Sequence, residues 1–147
     1  MKLDDAIKAI IKCGKNALLN KTDIVDAFKQ INIRKNQYHL FYLKWRYSYY
    51  YYTRLCFGFR SSPYIFDTLS RAICWIAENN YEISIIFHLL DDFLTVQPSN
   101  TAGHKTMALL TIIFNRLNIP TSEKKTIGPT KCLQYLGIIL DTESMEA

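Results

Sequence analysis

The chain has 147 residues, of which 49% are hydrophobic and 21% charged, and its 18 Lys and Arg exceed its 13 Asp and Glu to give a net charge of +5. That is the composition of a soluble single-core domain. No apolar run nears the roughly 20 residues of a membrane span, and charges interrupt residues 1–12 too often for a signal peptide, so no membrane partner is expected. The four cysteines, Cys13, Cys56, Cys74 and Cys132, form no C-x-x-C pair and read as reduced thiols of an intracellular protein, in cytoplasm or nucleus.

Leu3-Asp4-Asp5 followed by Ile7, Ile10 and Ile11 predicts a short amphipathic helix with acid in its first turn, stopping at Gly14. Residues 17–25 predict a strand entering the core. Residues 31–57 hold ten aromatics with β-branched neighbours and few breakers, including Tyr49-Tyr50-Tyr51-Tyr52, which predicts an antiparallel hairpin or two. Their polar partners are mostly basic. Residues 1–60 carry 12 Lys and Arg against 4 Asp and Glu, whereas residues 61–147 carry 6 against 9, so the basic part suits a polyanion.

Ser62-Pro63 marks a helix start, with the hydroxyl as cap, and Ile65, Phe66, Leu69, Ala72, Ile73 and Ile76 continue it to about Asn79-Asn80. Two apolar runs, 83–90 and 93–96, flank Asp91-Asp92 and predict a β-hairpin whose tight tip the aspartates supply. Ser99-Asn100 is placed to cap a second amphipathic helix that Pro120 closes, and residues 133–140 read as a last strand or short hairpin. The order gives a layered α+β fold, an antiparallel sheet with two helices on one face.

Adjacent aspartates beside apolar strands set like charges within a few ångström, and something positive must offset the cost. Ordinary turn chemistry accounts for many such pairs. A divalent metal pair also answers the need, and Asp23, after an apolar lead-in, is the natural third carboxylate.

TDIVDAF at 22–28, FGFRSSPYIF at 57–66, LLDDF at 89–93, Lys124-Lys125 after LNIP, and Tyr135-Leu136-Gly137 resemble, in order and spacing, the successive motifs of a reverse transcriptase palm. The Phe57-Gly58 pair, the hairpin with Trp45 and the Trp75-Ile76 helix end are most similar to tyrosine-recombinase (DIRS-type) retrotransposons, then to gypsy-type LTR elements and retroviruses. The resemblance implies an RNA-directed DNA polymerase that uses dNTPs on an RNA or DNA template with a primer. It also implies two Mg²⁺ ions, with Mn²⁺ as an alternative, on Asp23, Asp91, Asp92 and the backbone of Ile24.

By the same resemblance Val25, Asp26, Ala27, Phe28, Phe57, Gly58 and Lys125 would bind the nucleotide. Backbone N–H groups of 24–27 would lie under the triphosphate, Phe28 would exclude a 2′-hydroxyl, and Lys125, or Lys124 in its place, would meet the leaving group. Tyr135, Leu136 and Gly137 would open the primer grip. Arg34, Lys44, Arg46, Arg54, Arg60, Ser62 and Pro63 would contact nucleic acid. Leu89 stands where many relatives have Tyr, and Cys56 where Pro is usual. Residues 1–147 are expected to be one reverse transcriptase domain, a palm with a partial fingers hairpin. First finger strands, thumb and RNase H would belong to a longer polyprotein. The alternative is a non-catalytic remnant that binds strands through its basic, tyrosine-rich hairpin.

Overall fold

The computed structural model of the chain describes residues 3–146. Helix α1 spans Leu3–Cys13, with Asp4 and Asp5 against the positive end of its dipole, and Gly14 follows at φ 86, where a side chain would be strained. Strand β1 is Leu18–Asp23, and 3-10 turns at Ala27–Gln30 and Lys35–Leu40 lead to one hairpin, β2 (Tyr42–Trp45) and β3 (Ser48–Tyr51). Then come α2 (Ser62–Tyr81), β4 (Ile86–Leu89), β5 (Asp92–Gln97) and α3 (Gly103–Arg116). A 3-10 turn at Glu123–Lys125 precedes β6 (Ile127–Thr130), β7 (Cys132–Tyr135) and β8 (Ile138–Asp141).

Strands β4, β5, β1 and β6 form, in that order, one antiparallel sheet, while β2–β3 and β7–β8 are separate ribbons. The sheet has a core on each face. Helices α2 and α3 pack Phe66, Ile73, Leu110, Ile113 and Phe114 against Phe93 and Ile86, as the apolar spacing predicts. The opposite face is closed as well, by Ala6 and Ile10 of α1 and Leu133, Tyr135 and Leu140 of β7–β8 over Leu19, Leu94 and Val96. This second layer is why the residues after 130 fold back as a ribbon instead of joining the sheet.

Several local expectations need correction. The Ser62 hydroxyl does not cap α2: it is buried in the first turn and donates to the Cys56 carbonyl at 2.7 Å, tying the helix start to the preceding loop. Helix α3 begins past Ser99-Asn100, which lie in the turn before it. Strand β6 escapes a reading of sequence pattern because Ile127-Gly128-Pro129-Thr130 looks like a loop. Proline is tolerated there because β6 is an edge strand. Gly128 is required by close approach, since a Cβ would stand 2.6 Å from the Leu19 carbonyl and 2.7 Å from Asn20 Oδ1.

Candidate active site

The three carboxylates meet at one end of the sheet. In the β1–β5 register Leu19 faces Val96, Lys21 faces Leu94 and Asp23 faces Asp92. Since alternate residues share a face, this row runs from the apolar core to a pair of opposed carboxylates at its end. Asp91 sits beside them in the β4–β5 turn, whose loop residues are Leu90 and Asp91, with Asp92 already in β5.

The left-handed conformation falls on Leu90, at φ 53, and not on the aspartates. Three bonds hold the tip there. The Ile24 N–H donates to the Asp91 carbonyl at 3.1 Å, the buried Ser70 hydroxyl of α2 donates to the Leu90 carbonyl at 2.7 Å, and the Tyr135 hydroxyl reaches the Asp92 carbonyl at 3.4 Å.

Two lysines answer the negative charge. Lys125 Nζ lies 3.0 Å from Asp23 Oδ2, and Lys21 Nζ lies 3.3 Å from Asp92 Oδ1. Lys125 arrives because the segment before it zips against the end of β1, the Val25 N–H donating to Pro120 and the Ser122 N–H to Asp23. Burial first, then the charges of Asp23 and Asp92, push the Asp91 carboxyl above its usual range, against a backbone hydrogen bond and Lys125. The hydrogen bond to Asp23 and its charge likewise raise Lys125.

Hard oxygen donors in this number suit Mg²⁺ or Mn²⁺, and the charges of Asp23 and Asp92 beside the partly buried Asp91 are of the kind a cation offsets. As they stand, with both lysines in place, the described residues contain no group of three His, Cys, Asp or Glu side chains set to hold an ion.

Other expected residues fall into two groups. Phe28 is 7% exposed, its ring 4.7 Å from that of Phe57 and 5.6 Å from that of Phe66, so it joins the core to the loop ahead of α2. Gly58 adopts φ 81 in the turn ahead of α2, with Arg60 exposed and Pro63 in its first turn. Asp26 takes φ 50 and pairs with Lys29 at 3.0 Å, leaving Ala27 buried behind it. The N–H groups of Ile24 and Val25 are already donated within the fold, which removes both from the expected cradle of backbone donors.

Tyr135 is wholly buried, and burial followed by the charge of Asp92 pushes its phenol upward. Its place is therefore beneath Asp92, supporting β5, while Leu136 and Gly137 form the β7–β8 turn. Arg34, Lys44, Arg46 and Arg54 lie on or beside the β2–β3 ribbon, apart from the carboxylate sheet.

Sequence reasoning missed Lys21 and Ser70. Each carried a signal: a lysine at a core-facing position of a strand, and a serine in line with Phe66, Ile73 and Ala77 on the apolar face of α2.

The sequence profile of the family described as Reverse transcriptase (RNA-dependent DNA polymerase) matches residues 2–140. No curated protein matches the chain in sequence. Among solved structures, a foamy viral protease-reverse transcriptase in complex with dsDNA is similar at TM-score 0.68 and 20% identity, over 85% of this chain and 26% of that one. The foamy viral protease-reverse transcriptase in complex with RNA/DNA hybrid gives 0.71 and 20%, over 85% and 16%. A Prototype Foamy Virus Protease-Reverse Transcriptase CSH mutant gives 0.70 and 21%, over 90% and 17%. At such identity the likeness is one of fold, and the chain spans about a quarter or less of each of these proteins.

Proposed function

The chain belongs to the reverse transcriptase (RNA-dependent DNA polymerase) family, and from that premise we propose that it is the palm and part of the fingers of an RNA-directed DNA polymerase. The reaction adds deoxynucleotides from dNTPs to a primer 3′-hydroxyl on an RNA or DNA template. The element is a retrotransposon of the tyrosine-recombinase type, on the motifs around Trp45, Phe57-Gly58 and Trp75-Ile76. Remaining fingers, thumb and RNase H belong to a longer polyprotein.

The observation that carries this reading is the opposition of Asp23 and Asp92 in register with Asp91 beside them. Asp23, Asp91 and Asp92 would hold two divalent cations, which supply an acidified primer hydroxyl and charge neutralisation at the phosphate. Sheet hydrogen bonds and the Ser70 bond to the Leu90 carbonyl fix the backbone that carries the carboxylates, so the cations would have to displace the Lys21 and Lys125 ammoniums and not to move the strands. Lys125, released from Asp23, offers its ammonium to the leaving phosphate charge. Phe28, wedged between Phe57 and Phe66, presents a rigid edge to the sugar.

Asp91→Asn keeps the shape of the turn and removes one ligand charge. It is expected to abolish primer extension in Mg²⁺ or Mn²⁺ while the thermal midpoint holds or rises, because a carboxyl with a raised pKa is a strained charge in the folded chain. Unchanged extension by this variant would sink the assignment. If the wild-type chain alone does not extend a primer, Mn²⁺ titration by calorimetry reads the same site, with binding lost in Asp91→Asn.

One observation favours a second reading. Lys21 and Lys125 already form ion pairs with two of the carboxylates, as they would in a non-catalytic, nucleic-acid-binding remnant. Strand binding that persists where neither metal binding nor extension can be measured would select it.

A further inference from the structure

The two lysines that face the carboxylates are not alike. The Lys125 side chain is 62% exposed and can leave Asp23 for water at little cost, whereas that of Lys21 is 16% exposed. Lys21 lies on the face of β1 that Leu19 turns to the second core. An ammonium so placed is costly without an acceptor, so once Asp92 gives its charge to a cation Lys21 needs another partner within reach.

That partner is present. The Gln134 carbonyl of β7 stands 3.5 Å from Lys21 Nζ, which is also 5.9 Å from the centre of the Tyr135 ring. Leu136 and Gly137, at φ 52 and 84, make β7–β8 a two-residue hairpin. In such a hairpin the closing pair, Tyr135 and Ile138, exchanges backbone bonds, and the next pair, Gln134 and Ile139, turns its carbonyls outward. The Gln134 carbonyl therefore faces out of the ribbon toward β1.

The ribbon is tied to the rest of the chain unevenly. At the end away from its turn, the Asn16 N–H donates to the Thr142 carbonyl at 2.8 Å and the Thr142 hydroxyl donates to the Ala17 carbonyl at 2.7 Å. At the carboxylate end two links are long, 3.5 Å from Lys21 to the Gln134 carbonyl and 3.4 Å from the Tyr135 hydroxyl to the Asp92 carbonyl. Asp92 Oδ1, which Lys21 faces at 3.3 Å, is buried and accepts no hydrogen bond from the described residues. Lys21 is thus shared between a carboxylate and a carbonyl, with neither held closely.

We propose that Lys21 is a positioning residue that couples the carboxylate site to the β7–β8 ribbon. With the charge of Asp92 offset by a divalent cation, the Lys21 ammonium turns to the Gln134 carbonyl and fastens the ribbon, with its Leu136–Gly137 turn, to the sheet. The proposal rests on the reading of Asp23, Asp91 and Asp92 as cation ligands, and it names what their occupancy changes elsewhere in the chain.

The test follows hydrogen exchange of the full chain by mass spectrometry, in EDTA and in excess Mn²⁺, with calorimetry reporting Mn²⁺ binding by each variant. In wild type, Mn²⁺ should slow exchange over residues 132–141 about threefold or more, the factor expected of one hydrogen bond gained. Lys21→Met keeps the stem without the ammonium. It should bind Mn²⁺ at least as tightly, since a competing cation is gone, yet its ribbon should exchange at the same rate with and without the metal. Lys125→Met, which also removes a competing cation, should keep the wild-type response, as should Tyr135→Phe. Lys21→Gln is a second uncharged variant for the case in which Lys21→Met does not fold, and circular dichroism checks each. A merely structural role for Lys21 would raise exchange equally in both conditions and leave their ratio unmoved.

A ribbon response of wild-type size in the folded Lys21 variant overturns the proposal. So does a response lost in Lys125→Met or Tyr135→Phe as fully as in that variant. Wild type that binds Mn²⁺ with no change in the ribbon overturns it and leaves the cation site standing, whereas wild type that binds no Mn²⁺ overturns both.

Discussion

Phe28 is a packing residue on which the proposed choice of sugar also rests. With 7% exposure between Phe57 and Phe66 it is a core ring, and the same tight packing holds its remaining edge rigid just beyond the end of β1. Phe28→Val is expected to cost about 1–3 kcal/mol of stability through the cavity it leaves, read as a lower urea midpoint. It should also raise kcat/KM for ribonucleotides relative to deoxynucleotides. A sugar ratio that does not move would leave Phe28 with packing alone.

His88 offers a pH handle. Its Nδ1 is buried without a hydrogen-bond partner, and burial lowers its pKa, with Asp67 at 3.9 Å from Nε2 pulling the other way. The folded chain therefore resists a proton that the unfolded chain accepts near pH ~6.5. Stability should fall as pH drops from about 7 to about 5. In His88→Leu that part of the decline should be absent from the urea midpoints.

At the scale of elements, the site depends on a turn and an edge strand that pattern alone misassigns. In the β4–β5 turn Leu90 takes φ 53, a conformation that costs a non-glycine residue about 1–2 kcal/mol. Two gains offset it: Leu90 packs partly against the core, and its carbonyl accepts the Ser70 hydroxyl. Asp92 is thereby placed by strand register, and Asp91 is left to the turn without taking the left-handed conformation itself. The other case is β6, where Gly128 at φ 131 lets the edge strand lie against Leu19 and Asn20. Gly128→Ala adds a Cβ that meets backbone and should part β6 from β1, lowering the thermal midpoint.

Over the whole molecule, charge is segregated: the first 60 residues carry the basic excess and the remainder a small acidic one. Binding of single-stranded RNA should therefore weaken steeply with salt, by about −0.7 in log–log slope for each phosphate neutralised. Replacing Arg34, Lys44, Arg46 and Arg54 with Ala should flatten the slope measured by filter binding between low and physiological salt. An affinity indifferent to salt would contradict a phosphate-tracking surface.

The sequence by itself determined the helices, the paired core strands and the identity of the three carboxylates, because each is written locally. Apolar spacing of period 3.6 marks α2 and α3, a continuous apolar run marks β5, and Asp23, Asp91 and Asp92 stand in short motifs whose order is linear. Only the tertiary structure decided what surrounds those carboxylates. Lys21 and Lys125 reach them from opposite ends of the sequence, Tyr135 is buried with its hydroxyl under the Asp92 carbonyl, and β6 pairs despite a loop-like composition. Each of these rests on long-range pairing and burial, which no local window of residues encodes. The exposed tyrosines of the β2–β3 ribbon lie between the two cases: their rings were legible as aromatics, but their emptiness of core contacts could be seen only once both cores were closed without them.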